Sequence, residues 1–435
     1  MNDLRAKRVV VAGLGRFGGG IAVSRWLVEQ GARVLVTDNA DPQALADSVR
    51  QLDGLSIDYR LGEHREEDFT SADLVVASPA IPPDNRYLQA ARQAGVPVTT
   101  EIRLFIERCA APILGVTGTK GKSTTTALLG EMLRRRYVTW VGGNIGLSLL
   151  SNLPAIQKEH LVVLELSSFM LEYLEPAQWS PHVAVITFIA PDHLDRHKTL
   201  PRYLDAKRNI LRYQKPTDVA VINEECPAAV ELADVGSGRV VLYGLRDRRA
   251  FELRIPGRHN QLNAQGAFAA AAVMDIGWQE AQEAIAGFTG LPHRLQLVHE
   301  HRGVRYFNDS IATIPEAAVA ALDSFPPRTV IQIVGGYDKQ LPMTAMCAAL
   351  VERAKAVLCI GQTGQQIADM LENAPRIGAA DVYRCGDLPT AMKIARQIAV
   401  AGDVVLLSPG CASYDQFRNF EERGEVFAAL ARGEQ

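Results

Sequence analysis

The 435-residue chain has no run of about 18 apolar residues, the least that a membrane-crossing helix requires, so no membrane partner is expected. Its six cysteines (Cys109, Cys226, Cys347, Cys359, Cys385, Cys411) are scattered without a CxxC pair. That excludes a zinc knuckle or a disulfide framework and fits a reducing cytoplasm. Charge of neither sign dominates: 46 basic and 49 acidic side chains leave a formal charge of −3, which argues against a nucleic-acid binder. There is no fixed-period repeat and no low-complexity tract, which removes solenoids and disordered tails. The opening MNDLRAKRVVVAGLGRFGGG sets basic residues before an apolar run, as a signal peptide does. Glycines break that run at once and no small-residue cleavage pattern follows, so it reads as a first β-strand.

What the chain does have is alternation. Short β-branched runs recur between longer amphipathic stretches, the pattern of parallel sheets covered by helices. A first series occupies residues 9–12, 34–37, 74–77 and 96–99; a second, 113–116, 161–166, 183–189 and 219–223; a third, 304–307, 330–334, 357–360 and 404–407. Glycine and proline mark joints near 107–112 and 289–292, the second a candidate hinge. The expectation is an α/β protein of three domains: a Rossmann-like N-terminal domain (1–107), a central P-loop ATPase-like domain (108–290) and a Rossmann-like C-terminal domain (291–435). Nearly every polar cluster follows directly on an apolar run, and open α/β sheets bind ligands at the carboxyl ends of their strands.

Two clusters speak of phosphate. Gly13-Leu14-Gly15-Arg16-Phe17-Gly18 matches GxGxxG after a strand, with Asp38 twenty residues beyond, which on its own suggests a dinucleotide and an NAD-dependent oxidoreductase. Gly118-Thr119-Lys120-Gly121-Lys122-Ser123-Thr124 follows a second strand and opens a helix. A glycine turn and a helix N-terminus there would cradle phosphates, Lys122 would neutralise β/γ charge and Ser123 could ligate Mg²⁺. The strict P-loop wants glycine where Val116 stands, so this is a shortened variant. Two nucleotide-type loops in one chain disfavour a simple dehydrogenase. Glu165 ends an apolar strand, where an unpaired carboxylate would cost several kcal/mol to bury. His193 and His197 make HxxxH, but Leu194 stands where the zinc-protease pattern needs glutamate. Lys207 taken alone is an ordinary helical lysine, expected in solvent.

In order along the chain, GTKGKST, GGNIG (142–146), LELSSFMLE (164–172), APDHLDRH (190–197), GRHNQLNA (257–264), PHR (292–294), FNDSIAT (307–313) and SPGCASYDQFRNFEERG (408–424) resemble the Mur ligases. The resemblance implies an ATP-dependent ligase of peptidoglycan synthesis that joins glutamate to UDP-N-acetylmuramoyl-L-alanine through an acyl phosphate, working as a cytoplasmic monomer. It also implies site residues. Lys122, Glu165, His193 and Lys207 would be catalytic. Ser123, Glu165, His193 and Lys207 (as a carbamate formed with CO₂) would hold two Mg²⁺ ions. Gly118, Thr119, Lys120, Gly121, Lys122, Ser123, Thr124, Asn263, Arg294 and Asp309 would bind ATP, with Asp309 at the ribose. Leu14, Arg16, Phe17, Asp38, Ser78 and Asn144 would bind the UDP-sugar, and Thr313, Lys339, Ser413 and Phe420 the glutamate. His197 and Asp195 are expected to be scaffold.

The chain departs from the family where NDSKATN usually stands. Here Ile311 replaces the lysine in NDSIATIP, which removes one cation and leaves L-glutamate open beside D-glutamate. The GGYDK loop differs from the commoner GGDGK, and Lys120 stands where relatives often carry Asn or His. Folylpolyglutamate synthetase uses the same chemistry within the superfamily, but the GxGxxG-bearing first domain favours a UDP-sugar. A scaffold with a decayed nucleotide site would have no need to keep Lys122, Ser123, Glu165, His193 and Lys207 together.

Overall fold

Three sheets order the chain, as a computed structural model covering residues 3–15, 18–146, 148–374 and 380–434 describes it. Arg16 and Phe17 lie outside the described residues. The first sheet holds β1 (Arg8–Ala12), β2 (Arg33–Asp38), β3 (Ile57–Leu61), β4 (Leu74–Ala77) and β5 (Val98–Thr99), in the order β3-β2-β1-β4-β5 and parallel throughout. The order reverses at β1, so its carboxyl end, where the glycine turn begins, opens into a crevice between diverging connections. The second sheet holds β6 (Ile113–Thr117), β7 (Thr139–Gly143), β8 (Leu161–Glu165), β9 (Val183–Ile186), β10 (Val219–Asn223) and β11 (Arg239–Tyr243). It runs β11-β10-β9-β6-β8-β7, again all parallel, with β6 inside.

The third sheet holds β12 (Gln296–His301), β13 (Val304–Asn308), β14 (Val330–Val334), β15 (Ala356–Ile360), β16 (Asp381–Gly386) and β17 (Val404–Leu407). Its order is β12-β13-β17-β14-β15-β16. Only β12 is antiparallel, paired to β13 through a tight turn at Arg302-Gly303, both in the left-handed region. The inner strands are buried on both faces (β6, β8, β9, β14, β15 and β17 have no exposed residue), which is why they read as continuous apolar runs.

By contact the chain divides into two units. The first comprises residues 1–249 with 262–284, and the second 250–261 with 285–435. In the first unit one apolar cluster runs from Trp26, Ile102 and Phe105 to Leu150, Leu166 and Leu171, so the first two sheets are joined through a common core, and a second cluster around Val10, Phe69, Val75 and Leu88 covers the other face of the first sheet. The second unit has its own, on both faces of the third sheet.

Strands at 57–61, 139–143, 239–243, 296–301 and 381–386 were not expected from the sequence. Each is partly exposed. Polar residues interrupt those at 57–61, 296–301 and 381–386 and hide them from a search for apolar runs, glycines shorten the one at 139–143, and the run VVLY at 240–243 was there to be read.

Candidate functional site

In the first unit β6 ends at Thr117, and the chain turns through Gly118 (φ 154°) and Gly121 (φ 87°) into the helix Lys122–Leu133. Both glycines are required by space as well as conformation. A Cβ on Gly118 would strike the Thr187 hydroxyl, and one on Gly121 the side-chain oxygen of Asn263. Neighbouring segments fix the turn: the N–H groups of Thr119 and Lys120 donate to the Phe188 carbonyl (2.6 and 3.3 Å), and the Thr187 hydroxyl donates to the Lys120 carbonyl (2.7 Å). The Thr119 hydroxyl lies 2.6 Å from the Tyr203 hydroxyl and 2.9 Å from the Ala190 carbonyl. Helical bonding begins with the Thr125 N–H on the Gly121 carbonyl (2.9 Å). The N–H groups of Gly121 to Thr124 therefore precede the ladder, and an anion suits that end of a helix. Ser123 and Thr124 are half-buried in this first turn. The Lys122 ammonium donates to the Thr119 carbonyl (3.0 Å), and Asn263, on the helix Arg258–Val273, accepts from the Thr125 hydroxyl (3.4 Å).

Glu165, the last residue of β8, is 1% exposed. Its Oε1 accepts from the Asn144 amide (2.8 Å), and its Oε2 is buried without a hydrogen-bond partner. A carboxylate oxygen left in that state asks for a cation. Lys207 is equally buried, contrary to the solvent exposure expected of a lone helical lysine. Its Nζ donates to the Gly118 carbonyl (2.7 Å) and the Thr117 hydroxyl (3.4 Å) and sits 4.8 Å from the centre of the Tyr203 ring. Burial holds this amine well below the ordinary lysine range. Lys122 pushes the same way, and Asp192 and Glu165 oppose.

His193, in the left-handed region (φ 52°), caps the short helix Leu194–His197, half-exposed and 3.5 Å from Asp192. His197 is buried between the Ser168 hydroxyl (3.0 Å) and Glu172 (3.3 Å), in keeping with its expected scaffold part. Among the described residues, no three His, Cys, Asp or Glu side chains converge as metal ligands. Glu165 Oε2 and the Lys207 amine are the buried groups that fit a cation site, the amine only once it carries an acid group.

Around the first sheet, Asp38 ends β2 and folds onto the glycine turn, accepting from the Gly15 N–H (3.1 Å) and the Ala40 N–H (2.9 Å). Ser78 follows β4 so closely that a Cβ on Gly13 would meet it at 2.8 Å. Leu14 turns its side chain into the core, so its backbone is what it can present to a ligand.

In the second unit Asp309 and Thr313 follow β13, Lys339 follows β14, and Ser413 and Phe420 follow β17, whereas Arg294 precedes β12. Asp309 is buried, accepting from the Ser408 hydroxyl (2.7 Å) and the Leu295 N–H (3.1 Å). Burial pushes its carboxyl up to about 7 against those hydrogen bonds and the nearby charge of Arg294. Arg294 and Lys339 are exposed, Thr313 is half-buried and Ser413 is buried. Phe420 opens the helix Phe420–Arg432 with its ring 6.0 Å from that of His293. Ile311 donates its N–H to the His293 carbonyl (3.2 Å). Arg423, 1% exposed, ties these loops together: it donates to the Ser310 hydroxyl (2.9 Å) and carbonyl (2.8 Å) and to the carbonyls of Cys411 and Ala412 (both 3.1 Å).

Sequence reasoning missed Tyr203, Thr187 and Arg423, and the pairing of Asn144 with Glu165. Tyr203 carried a signal, four residues before Lys207 and hence on the same helix face. The Thr187 contact with Lys120 spans 67 residues and the Arg423 contact with Ser310 spans 113, separations that no local pattern carries.

Residues 7–100 match the family profile described as Mur ligase MurD-like, N-terminal domain; 116–251 match the Mur ligase middle domain; 293–411 match the Mur ligase, glutamate ligase domain. The UDP-N-acetylmuramoylalanine–D-glutamate ligase of Roseiflexus sp. (strain RS-1) is 44% identical, over 98% of this chain and 99% of its own. The protein of the same name from Symbiobacterium thermophilum is 38% identical, over 98% and 97%. Among solved structures, UDP-N-acetylmuramate-alanine ligase MurC from Thermotoga maritima superposes with a TM-score of 0.62 at 22% identity, covering 98% of this chain and 99% of that one. MurF ligase from Thermotoga maritima in complex with ADP gives 0.57 at 18%, covering 99% and 96%. These two likenesses establish the shared three-domain α/β fold.

Proposed function

The chain belongs to the Mur ligase family, and from that premise we propose that it joins D-glutamate to UDP-N-acetylmuramoyl-L-alanine at the expense of ATP. The observation that carries this reading is near-full-length identity of 44% with a relative that bears that name. D-Glutamate, rather than the L-enantiomer that Ile311 left open, is the acceptor in the names of the relatives. The NAD reading of GLGRFG is set aside with it.

A carboxylate is a poor electrophile. An oxygen of the L-alanyl carboxylate attacks the γ-phosphorus of ATP, and ADP leaves, giving an acyl phosphate. The amine of D-glutamate then attacks the acyl carbon; the C–O bond breaks, inorganic phosphate departs and the nitrogen loses a proton. Both steps need charge neutralised more than they need an acid or a base. The turn Gly118–Gly121 and the helix behind it would take the phosphates, with Lys122 on the β/γ charge and Asn263 against the turn. Arg294 and Asp309 would take the rest of ATP, and Lys339, Thr313, Ser413 and Phe420 the glutamate. Lys339 acts there as a point charge on a carboxylate. Leu14, Asp38 and Ser78 line the crevice suited to the UDP end.

Ser123, Glu165, His193 and Lys207 would hold two Mg²⁺ ions, which when bound supply positive charge to the transferring phosphoryl group. For Lys207 this requires a carbamate: the neutral amine attacks CO₂, a C–N bond forms and a proton is released. A lysine whose proton is already held weakly by burial is suited to that reaction. On this reading the enzyme acts in the cytoplasm, as a monomer whose domains divide near residues 107 and 290.

The test is phosphate release from ATP with Mg²⁺ and UDP-N-acetylmuramoyl-L-alanine, with D- and L-glutamate in separate reactions. Release with D-glutamate alone is expected. Release with L-glutamate alone would overturn the choice of acceptor, and release with neither would overturn the ligase.

A further inference from the structure

We propose that Arg196 is a positioning residue that holds the precursor-binding loop after β4 in register with His193. The proposal rests on the function above, because it concerns the crevice assigned to the UDP precursor.

The segment Ser78-Pro79-Ala80-Ile81-Pro82-Pro83 follows the strand that ends beside the glycine turn. Its three prolines have no N–H to donate; the Ile81 N–H serves Ser78 and the Asn85 N–H serves Pro82, which leaves the carbonyls of Pro79, Ala80 and Ile81 to donors from elsewhere. The Arg196 guanidinium supplies them from the second sheet's side of the same unit. It donates to the carbonyls of Ala80 (2.7 Å), Ile81 (3.3 Å) and Pro79 (3.4 Å), and to Glu172 Oε2 (3.0 Å). The Tyr173 hydroxyl adds a further donation to the loop, at the Ile81 carbonyl (2.8 Å). The Arg196 side chain is only 9% exposed.

The other face of this arrangement reaches His193. Arg196 and His193 share one helical turn, the Arg196 N–H donating to the His193 carbonyl (3.1 Å). Phe169 bridges them in space: the guanidinium carbon lies 4.9 Å from its ring centre, and the His193 ring 4.9 Å from it. Glu172, which anchors the guanidinium, also meets His197. One planar fork thus holds the loop beside Ser78 and, through a ring and a helical turn, lies next to His193, so that losing the fork moves the loop and not the histidine. A lysine could not reproduce it, since three carbonyls and a carboxylate around one plane match a guanidinium and not a point charge.

The experiment compares Arg196→Lys and Arg196→Gln with the wild type, using calorimetric binding of UDP-N-acetylmuramoyl-L-alanine without ATP, KM for each of the three substrates, and thermal melts. The precursor's Kd and KM should rise about tenfold in the Lys variant and more in the Gln variant, with the KM for ATP within twofold of the wild type. Unchanged precursor binding in either folded variant would overturn the proposal, as would an equal rise in the KM for ATP. A wild-type protein that does not bind the precursor would overturn the functional reading and this one with it. Wild-type binding that survives both substitutions would overturn this one alone.

Discussion

Asn144 holds Glu165 twice, through its side-chain amide on Oε1 (2.8 Å) and its backbone N–H on the Glu165 carbonyl (2.9 Å). The carboxylate is thereby aimed rather than merely buried, with Oε2 left without a hydrogen-bond partner. Glu165→Gln can keep the bond to Asn144 while removing the charge. Phosphate release should fall at least ~100-fold, the scale on which a preorganised electrostatic partner acts, with the melting temperature unchanged within a few degrees. Activity within tenfold of the wild type would contradict the role given to this residue.

Lys207 makes a chemical prediction. Enzyme equilibrated with ¹³C-bicarbonate at mildly alkaline pH should show one carbamate carbon resonance, which disappears in Lys207→Met. The Met variant should remain folded, because it replaces a buried amine with an apolar chain of similar length, and should have lost ligase activity. A spectrum without that resonance, from enzyme that is active, would remove the carbamate.

Gly121→Ala should act twice. A side chain at φ 87° costs about 1 kcal/mol or more, and the added Cβ runs into Asn263. Gly146 is the matched control, with positive φ (72°) and nothing within 4 Å of its Cβ position. Gly146→Ala should lower the melting temperature slightly; Gly121→Ala should lower it further and raise the KM for ATP at least tenfold. Equal effects of the two substitutions would show that the Asn263 contact is unimportant.

Asp309 sets a pH dependence. In the folded protein burial pushes its carboxyl up to about 7, and in the unfolded chain it releases its proton at the ordinary aspartate value of 3.8. Between those values the folded state binds more protons than the unfolded one, so stability falls as pH rises and levels off above about 7. The loss is on the order of a few kcal/mol across that window. Asp309→Asn keeps a donor and an acceptor for Ser408 and the Leu295 N–H, and should flatten this slope in urea titrations at pH 5 and pH 8. An unchanged slope would place the titration elsewhere.

The legible part of this molecule was its strand ends. GTKGKST announced its turn and helix because glycine spacing is a local property, and the inner strands announced themselves because burial on both faces leaves a continuous apolar run. Lys207 was legible only through its motif. Its burial is made by Thr117, Gly118 and Tyr203, two of them some ninety residues away, and no helical pattern separates such a lysine from a solvated one. Strands such as β12, QLVHEH, failed for the opposite reason: an edge strand with one wet face looks like loop. Asp38 was read as part of a dinucleotide fingerprint from its spacing, and its two bonds to Gly15 and Ala40 show that the same carboxylate also shapes the turn.

In the third sheet the strand that sits at the centre, β17, is made after every other strand of that sheet. Until it emerges from the ribosome, β13 and β14 each expose a bare edge where their shared neighbour will lie, and Arg423, which clasps the loops on either side, has not yet been added. Assembly of this half of the protein therefore waits for nearly the whole chain to be synthesised, with its most apolar edges open meanwhile. A ribosome stalled between β16 and β17 would carry a first unit able to close its core and a second unit unable to, which makes this interval the point at which a nascent chain is most in need of a chaperone.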